Sequence, residues 1–309
     1  MPFIDWVLAF ITILVWGMNF LVSKLALAEI PPLFYGFWRF FLVVFPILFF
    51  VKFPRAPWKT ILVYSLTINF LQFSFMLSSI AFGLAAGLTS LLMQTQAFFT
   101  VILSALYFKE KVPFGLLVSF VFAAVGVVFI VEGASVETAL PVAGLLSVLS
   151  AAFFWAMGNV TIKMMPSVNM ISLVVWGGLF SLPAFAIASW IFEGNLLFTW
   201  DTYLHMSYKG WLGILYGAYI STFVGYVIWG KLLSRRPVSL IAPLTLLIPI
   251  IGFISNAIAF DERMTLWQWL GAALVLLALC VNVFWLKIAK VLHLPPFHRH
   301  RPIHLRRDN

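Results

Sequence analysis

Apolar runs of about 20 residues recur along the whole chain, separated by short polar or Pro/Gly breaks. This feature constrains the fold more than any other. About 20 apolar residues in a helix span a hydrocarbon core about 30 Å thick. The runs predict ten spans, over residues 6–28, 33–51, 58–81, 84–108, 114–131, 140–164, 170–192, 208–233, 238–260 and 266–288. A β-barrel needs segments of about ten residues in which apolar and polar positions alternate. Residues 244–253 do not alternate, so the spans read as helices. Composition agrees: 63% of the residues are hydrophobic and only 9% charged, against about 25% charged in a soluble domain. Such a chain cannot cover itself with solvated side chains, and it is too apolar to stay disordered. The class is an all-α integral membrane protein.

The breaks have local causes. Pro31 and Pro32 stop the first span, and Pro54 and Pro57 bracket the second loop. Gly83 marks a tight turn, and Pro113 suits a helix start because its missing N–H is an orphan there anyway. Thr265 with Gln268 reads as a capping box that opens the last span.

The net charge of +9 is a topology signal. With ten spans both termini share a side, which carries Lys52, Arg55, Lys59, Lys109, Lys111, Lys163, Lys231, Arg235, Arg236 and the basic tail. The other side keeps only Lys24, Lys209 and Arg263. This bias predicts cytoplasmic termini and cations that meet lipid headgroups, with no nucleic-acid partner. The N-terminus reads as a retained span without a cleavage pattern. Cys280 is the one cysteine and reads as a small residue of an apolar span, so no internal disulfide is expected.

The two halves resemble each other. Residues 16–24 read WGMNFLVSK and residues 155–163 read WAMGNVTIK, with Trp and Lys in matching places. Phe108 to Lys111 matches Phe260 to Arg263. Five spans per half is an odd number, so the second copy enters the membrane from the opposite side. The expectation is two inverted five-helix repeats, 1–135 and 136–290, around a central cavity, followed by a basic cytoplasmic tail, 291–309. Inverted repeats with a midplane site are typical of secondary transporters.

The repeat, the WGMNF of the first span, Arg39 in the second and the Phe-x-Glu turns resemble the EamA family of the drug/metabolite transporter superfamily, over residues 5–288. Residues 86–100, 224–230 and 242–249 are similar to its exporters of cysteine-type and O-acetylserine-type metabolites. The resemblance implies a bacterial inner-membrane carrier that moves small amino-acid-like metabolites outward. It also implies that the first, third, fourth, sixth, eighth and ninth helices line the cavity.

Several polar faces fall on those helices. Thr12, Trp16, Asn19 and Ser23 share one face of the first, and Asn69, Gln72 and Met76 one face of the third. In the fourth, Gln94 and Gln96 cannot point the same way; Gln94 is assigned to the cavity and Gln96 to a neighbouring helix. Trp155, Asn159 and Lys163 align in the sixth. For each amide two readings stay open, a cavity group or an interhelical hydrogen bond. Amides and hydroxyls suit a solute carrying both a carboxylate and an ammonium. Trp16, Trp155, Trp176 and Tyr226 can supply aromatic walls, or can simply pack. Lys24, Arg39 and Lys163 are expected as charged groups at the mouths that draw in a substrate carboxylate. Their alternatives are snorkelling to headgroups, or pairing with Glu29 at the outer end.

No Asp or Glu is expected in the middle of a span, and all five His residues lie outside the spans, so facilitated or weakly coupled export is expected. Gly213, Gly217, Ser221 and Gly225 form a small-residue stripe on the eighth helix, and Pro243 and Pro249 are expected to kink the ninth. His293, His298, His300 and His304 in the tail are interrupted by prolines and joined by no acid or Cys, so no metal is expected, and no cofactor. There is no HExxH and no GxSxG, which argues against an enzyme. The other readings are an exporter of aromatic or drug-like solutes and, in a different class, a channel or lipid-handling protein. The expected partners are a small-molecule substrate and the lipid bilayer, and a monomer is compatible with both.

Overall fold

The computed structural model describes residues 2–45, 47–109, 114–133, 141–165, 168–235, 242–260 and 265–291. Among these residues the chain is helical throughout, with no strand. The helices are α1 (Phe3–Leu27), α2 (Pro32–Val44), α3 (Trp58–Ala81), α4 (Ala86–Phe108), α5 (Phe114–Glu132), α6 (Val142–Lys163) and α7 (Met170–Glu193). They are followed by α8, built from Tyr208–Leu215, Tyr216–Val224 and Gly225–Arg235; α9, built from Ala242–Leu247 and Ile248–Phe260; and α10 (Leu266–Val291). Among the described residues eight stretches are long and apolar enough to cross a bilayer; shorter apolar stretches, Leu117–Glu132 and Leu244–Phe260, lie in α5 and α9.

The predicted punctuation is visible in the backbone. Pro32 opens α2 at a position where its missing N–H costs nothing. Gly83 joins α3 to α4 with φ 90°, and the turn closes through the Leu84 N–H on the Ser79 carbonyl at 3.0 Å. Asn169 caps α7 by accepting from the N–H groups of Ile171 and Ser172. The capping box of α10 is formed: Thr265 N–H donates to Gln268 Oε1 at 3.0 Å and Gln268 N–H to Thr265 Oγ1 at 3.3 Å. Pro113, Arg236, the residues after Phe260 up to Met264 and the tail with its histidines lie outside the described residues, as does the Pro243 side chain.

Helix pairing crosses the two halves. α1 packs on α8 and α9, and α6 on α3 and α4. α2 packs on α7 and α8, and α7 on α2 and α3; α5 pairs with α10, and α4 with α9. Raising each helix number by five, modulo ten, maps these pairings onto themselves. Two irregularities follow the same rule. α3 is π-helical over Ser65–Leu71 and α8 over Tyr216–Val224. α4 contains a 3-10 turn, Met93–Thr95, and α9 starts with one, Ala242–Leu247.

The main core runs through the middle of the bundle, with Phe34, Tyr35, Phe40, Leu77, Leu92 and Phe185 fully buried. Large apolar side chains such as Leu106, Trp190 and Ile258 point outward, as they must where the surroundings are lipid. At the open end of α7 the Glu193 carboxylate accepts from the N–H of Leu33 at 2.6 Å and of Phe34 at 2.8 Å. It satisfies orphan donors at the start of α2 and ties the halves together.

Candidate functional site

The most demanding residue in the bundle is Arg39. It is the eighth residue of α2, roughly 10 Å from its start at 1.5 Å per residue, and its side chain is 2% exposed. It does not snorkel to headgroups, and Glu29 instead accepts from Ser207 Oγ at 2.6 and 2.7 Å. The guanidinium turns into the bundle. Its Nε and Nη2 both donate to Thr222 Oγ1, at 3.1 and 2.9 Å; Nη2 also donates to Ser221 Oγ at 3.3 Å, and Nη1 to Asn19 Oδ1 at 3.0 Å. The guanidinium carbon stands 4.3 Å from the ring centroid of Phe73, a cation–π contact from α3. Every one of these partners is neutral. The titratable groups close enough to act on Arg39 are the phenols of Tyr35, Tyr216 and Tyr226, and no carboxylate pairs with it among the described residues.

Four helices build this cluster. α8 contributes Ser221 and Thr222 from the C-terminal part of its π-helical stretch. There the Thr222 hydroxyl donates to the carbonyl of Gly217, five residues back, at 2.8 Å. Gly217 is small of necessity, because a Cβ there would lie 2.7 Å from the Tyr35 hydroxyl and 3.3 Å from Arg39 Nη1. Tyr35 donates to the Gly213 carbonyl at 3.0 Å, and Ser23 stands 3.4 Å from its hydroxyl. Trp16 donates from Nε1 to the Ser221 carbonyl at 3.0 Å and meets the rings of Tyr226 at 5.6 Å and Trp229 at 5.4 Å. The small-residue stripe of α8 thus serves close contact with α1 and α2. Thr222 and Tyr226 also line a small apolar cleft together with Met170, Ile171, Val174, Val175, Phe223 and Val227.

The structure gathers five of the predicted residues here: Trp16, Asn19, Ser23, Arg39 and Tyr226. The others fall elsewhere. Asn69 is 4% exposed on the π-helical stretch of α3, and its side-chain nitrogen has no hydrogen-bond partner among the described residues. Gln72 follows it, 2% exposed, with Nε2 3.8 Å from Met76 Sδ. Gln94 is half-buried on the 3-10 turn of α4. Asn159 makes an interhelical bond: its Nδ2 donates to Gln96 Oε1 at 3.0 Å and to Thr100 Oγ1 at 3.1 Å. Trp155 is partly buried against the core, and Trp176 donates to the Val51 carbonyl at 3.1 Å while packing on Phe53, beside the segment that follows α2.

Lys24 and Lys163 sit at helix ends and behave alike. The Lys24 ammonium lies 4.1 Å from the ring centroid of Phe260, and that of Lys163 lies 4.4 Å from Phe108. Each lysine closes α1 or α6 onto the last residue of α9 or α4 in the other half. Residues absent from the sequence reading of the site are Tyr35, Phe73 and Thr222, with Ser221 read only as a small packing residue. The adjacent hydroxyls Ser221 and Thr222 inside an apolar span were the available signal, since an embedded Arg requires oxygen partners from somewhere.

Comparison with known proteins agrees with this architecture. The family model described as the EamA-like transporter family matches residues 5–132 and 142–284. The chain is 40% identical over 294 residues to a protein of Escherichia coli K12 named "Probable amino-acid metabolite efflux pump", covering 93% of this chain and 98% of that one. It is 38% identical to the Salmonella typhimurium protein of the same name, covering 93% and 97%. An uncharacterized transporter of Bacillus subtilis is 24% identical, covering 90% and 96%. A solved crystal structure at 18% identity matches with a TM-score of 0.62, covering 93% of this chain and 97% of that chain, which is a likeness of fold.

Proposed function

Because the chain belongs to the EamA-like transporter family, a family of multi-pass membrane proteins, we propose that it is a secondary carrier exporting small amino-acid-like metabolites of the cysteine and O-acetylserine type. The names of the two bacterial efflux-pump relatives support export. The observation that carries the reading is the polar cluster around Arg39, buried where lipid-facing helices have no use for it.

The proposed architecture is ten spans in two inverted repeats, 1–135 and 136–290. Support comes from the pairing pattern that survives a shift of five helices, and from the π-helical stretches matched in α3 and α8. The excess of Lys and Arg on one side supports an inner-membrane protein with both termini, including the basic tail 291–309, in the cytoplasm. In that orientation Lys24 and Phe260 meet at the outer end and Lys163 and Phe108 at the inner end. These crossed contacts between halves are proposed as the latches of alternating access: opening outward breaks the first, opening inward the second. Asn69, Gln72 and Gln94 are proposed as further cavity groups. Asp5, buried in the first turn of α1, lies at the end of its span; with no Asp or Glu in the middle of a span among the described residues, export is proposed to run down the gradient of the cargo, with a small molecule and the bilayer as its partners.

The test is efflux of labelled cysteine and O-acetylserine from preloaded proteoliposomes, wild type beside Asn19→Ala, with and without a pH gradient. Saturable efflux that falls about tenfold in the variant and ignores the gradient is expected, from loss of a hydrogen bond to a buried charge. Efflux of phenylalanine or tryptophan in preference to both probes favours the aromatic-solute reading.

A further inference from the structure

We infer that Arg39 is the selectivity residue of the carrier, the group that binds the carboxylate of the cargo. The inference rests on the carrier reading above. A guanidinium buried in a bundle is costly unless its charge is balanced. Here four hydrogen bonds orient it, all to neutral oxygens, and an aromatic face supports it from below. None of these supplies negative charge, and neutral oxygens offset only part of the cost of taking the cation out of water. An arriving carboxylate supplies the rest, and the planar fork of Arg suits a carboxylate better than the point charge of Lys would.

Three further observations point the same way. Asn69 stands one turn before Phe73 on α3, and its buried amide nitrogen has no partner among the described residues. It is a spare donor one turn from the ring that supports the guanidinium. Thr222, which holds two of the Arg39 bonds, also lines the small apolar cleft between α7 and α8, so only that one side chain separates the guanidinium from the cleft. The charge is also one-sided. Arg39 is the eighth residue of α2, and the eighth residue of α7 is Gly177, whose missing side chain leaves room for Tyr64 and Asn69. A carrier with two near-equivalent halves thus holds one embedded cation among these positions, which suits a cargo with one carboxylate.

The inference predicts discrimination between an acid and its ester. In proteoliposomes, unlabelled L-cysteine should compete with labelled L-cysteine about tenfold or more better than L-cysteine methyl ester does. In Arg39→Gln the preference should vanish while the KM for the acid rises by about the same factor; Arg39→Lys should fall between. A merely structural Arg39 changes thermal stability without changing the acid-to-ester ratio. Equal competition by acid and ester in the wild type, or a preference that survives in Arg39→Gln, overturns the inference and leaves export intact. If the wild type does not move cysteine, the substrate reading fails by itself. The inference is then decided by thermal shift of the detergent-solubilised full chain with each of the common amino acids and its methyl ester. An acid that stabilises the wild type and not Arg39→Gln upholds it; no stabilisation by any acid overturns it.

Discussion

At the scale of single residues, the Arg39 cluster shows how a membrane-buried charge is held by oxygen atoms rather than by a counter-charge. Thr222 is its pivot, accepting from two guanidinium nitrogens and donating to Gly217. Thr222→Val keeps the shape and removes the acceptor. It should lower stability by about 1–3 kcal/mol in thermal unfolding of the solubilised protein, the cost of leaving a buried donor unsatisfied, and Thr222→Ser should restore most of the loss. A Thr222→Val protein as stable as wild type would mean that Arg39 has other support. Arg39 was legible in the sequence because a charge interrupts an apolar run. Its partners were not, because Ser221 and Thr222 lie more than 180 residues away and nothing local to either segment says that α2 meets α8. Asn159 shows the same limit from the other side. Its position on a polar face left open whether it meets a cavity or a helix, and only the packed neighbours Gln96 and Thr100 give its partner.

At the scale of elements, the span boundaries were readable because hydrophobic length is a one-dimensional property, and caps such as Thr265 with Gln268 carry their geometry in their spacing. The π-helical stretches had no such signature. One extra residue per turn leaves composition unchanged, yet it sets Ser221 and Thr222 facing Arg39 and Ser65 facing the Gly177 carbonyl. Glu193 is another element-level device, invisible in sequence because its role depends on α2 starting beside the end of α7. Glu193→Ala should cost about 1 kcal/mol in thermal unfolding, comparable to the loss of a helix cap, and an unchanged midpoint would contradict the clasp. The lysine–phenylalanine contacts give a paired prediction. In a background with Cys280 replaced by Ser and one Cys introduced at Gln94, Phe260→Ala should raise labelling by an impermeant maleimide from outside, and Phe108→Ala from inside. A shift in the same direction for both variants would remove the latch reading.

At the scale of the molecule, the proposed orientation rests on the charge bias and the proposed inversion on the odd number of spans per half. Both were accessible from the sequence, because loops and repeats are read along the chain. The pairing of α1 with α9 and α6 with α4 was not, since it crosses the halves. An alkaline phosphatase fused after Val291 should be inactive in cells, and one inserted at Gly194 active; the reverse pattern would invert the topology. The central claim, a carrier rather than a pore, is tested most directly by counterflow. Proteoliposomes loaded with unlabelled cysteine should accumulate external labelled cysteine transiently above equilibrium, because one site turns alternately to each side. Uptake that rises only to equilibrium, unsaturated by concentration and indifferent to what is inside, would contradict the account.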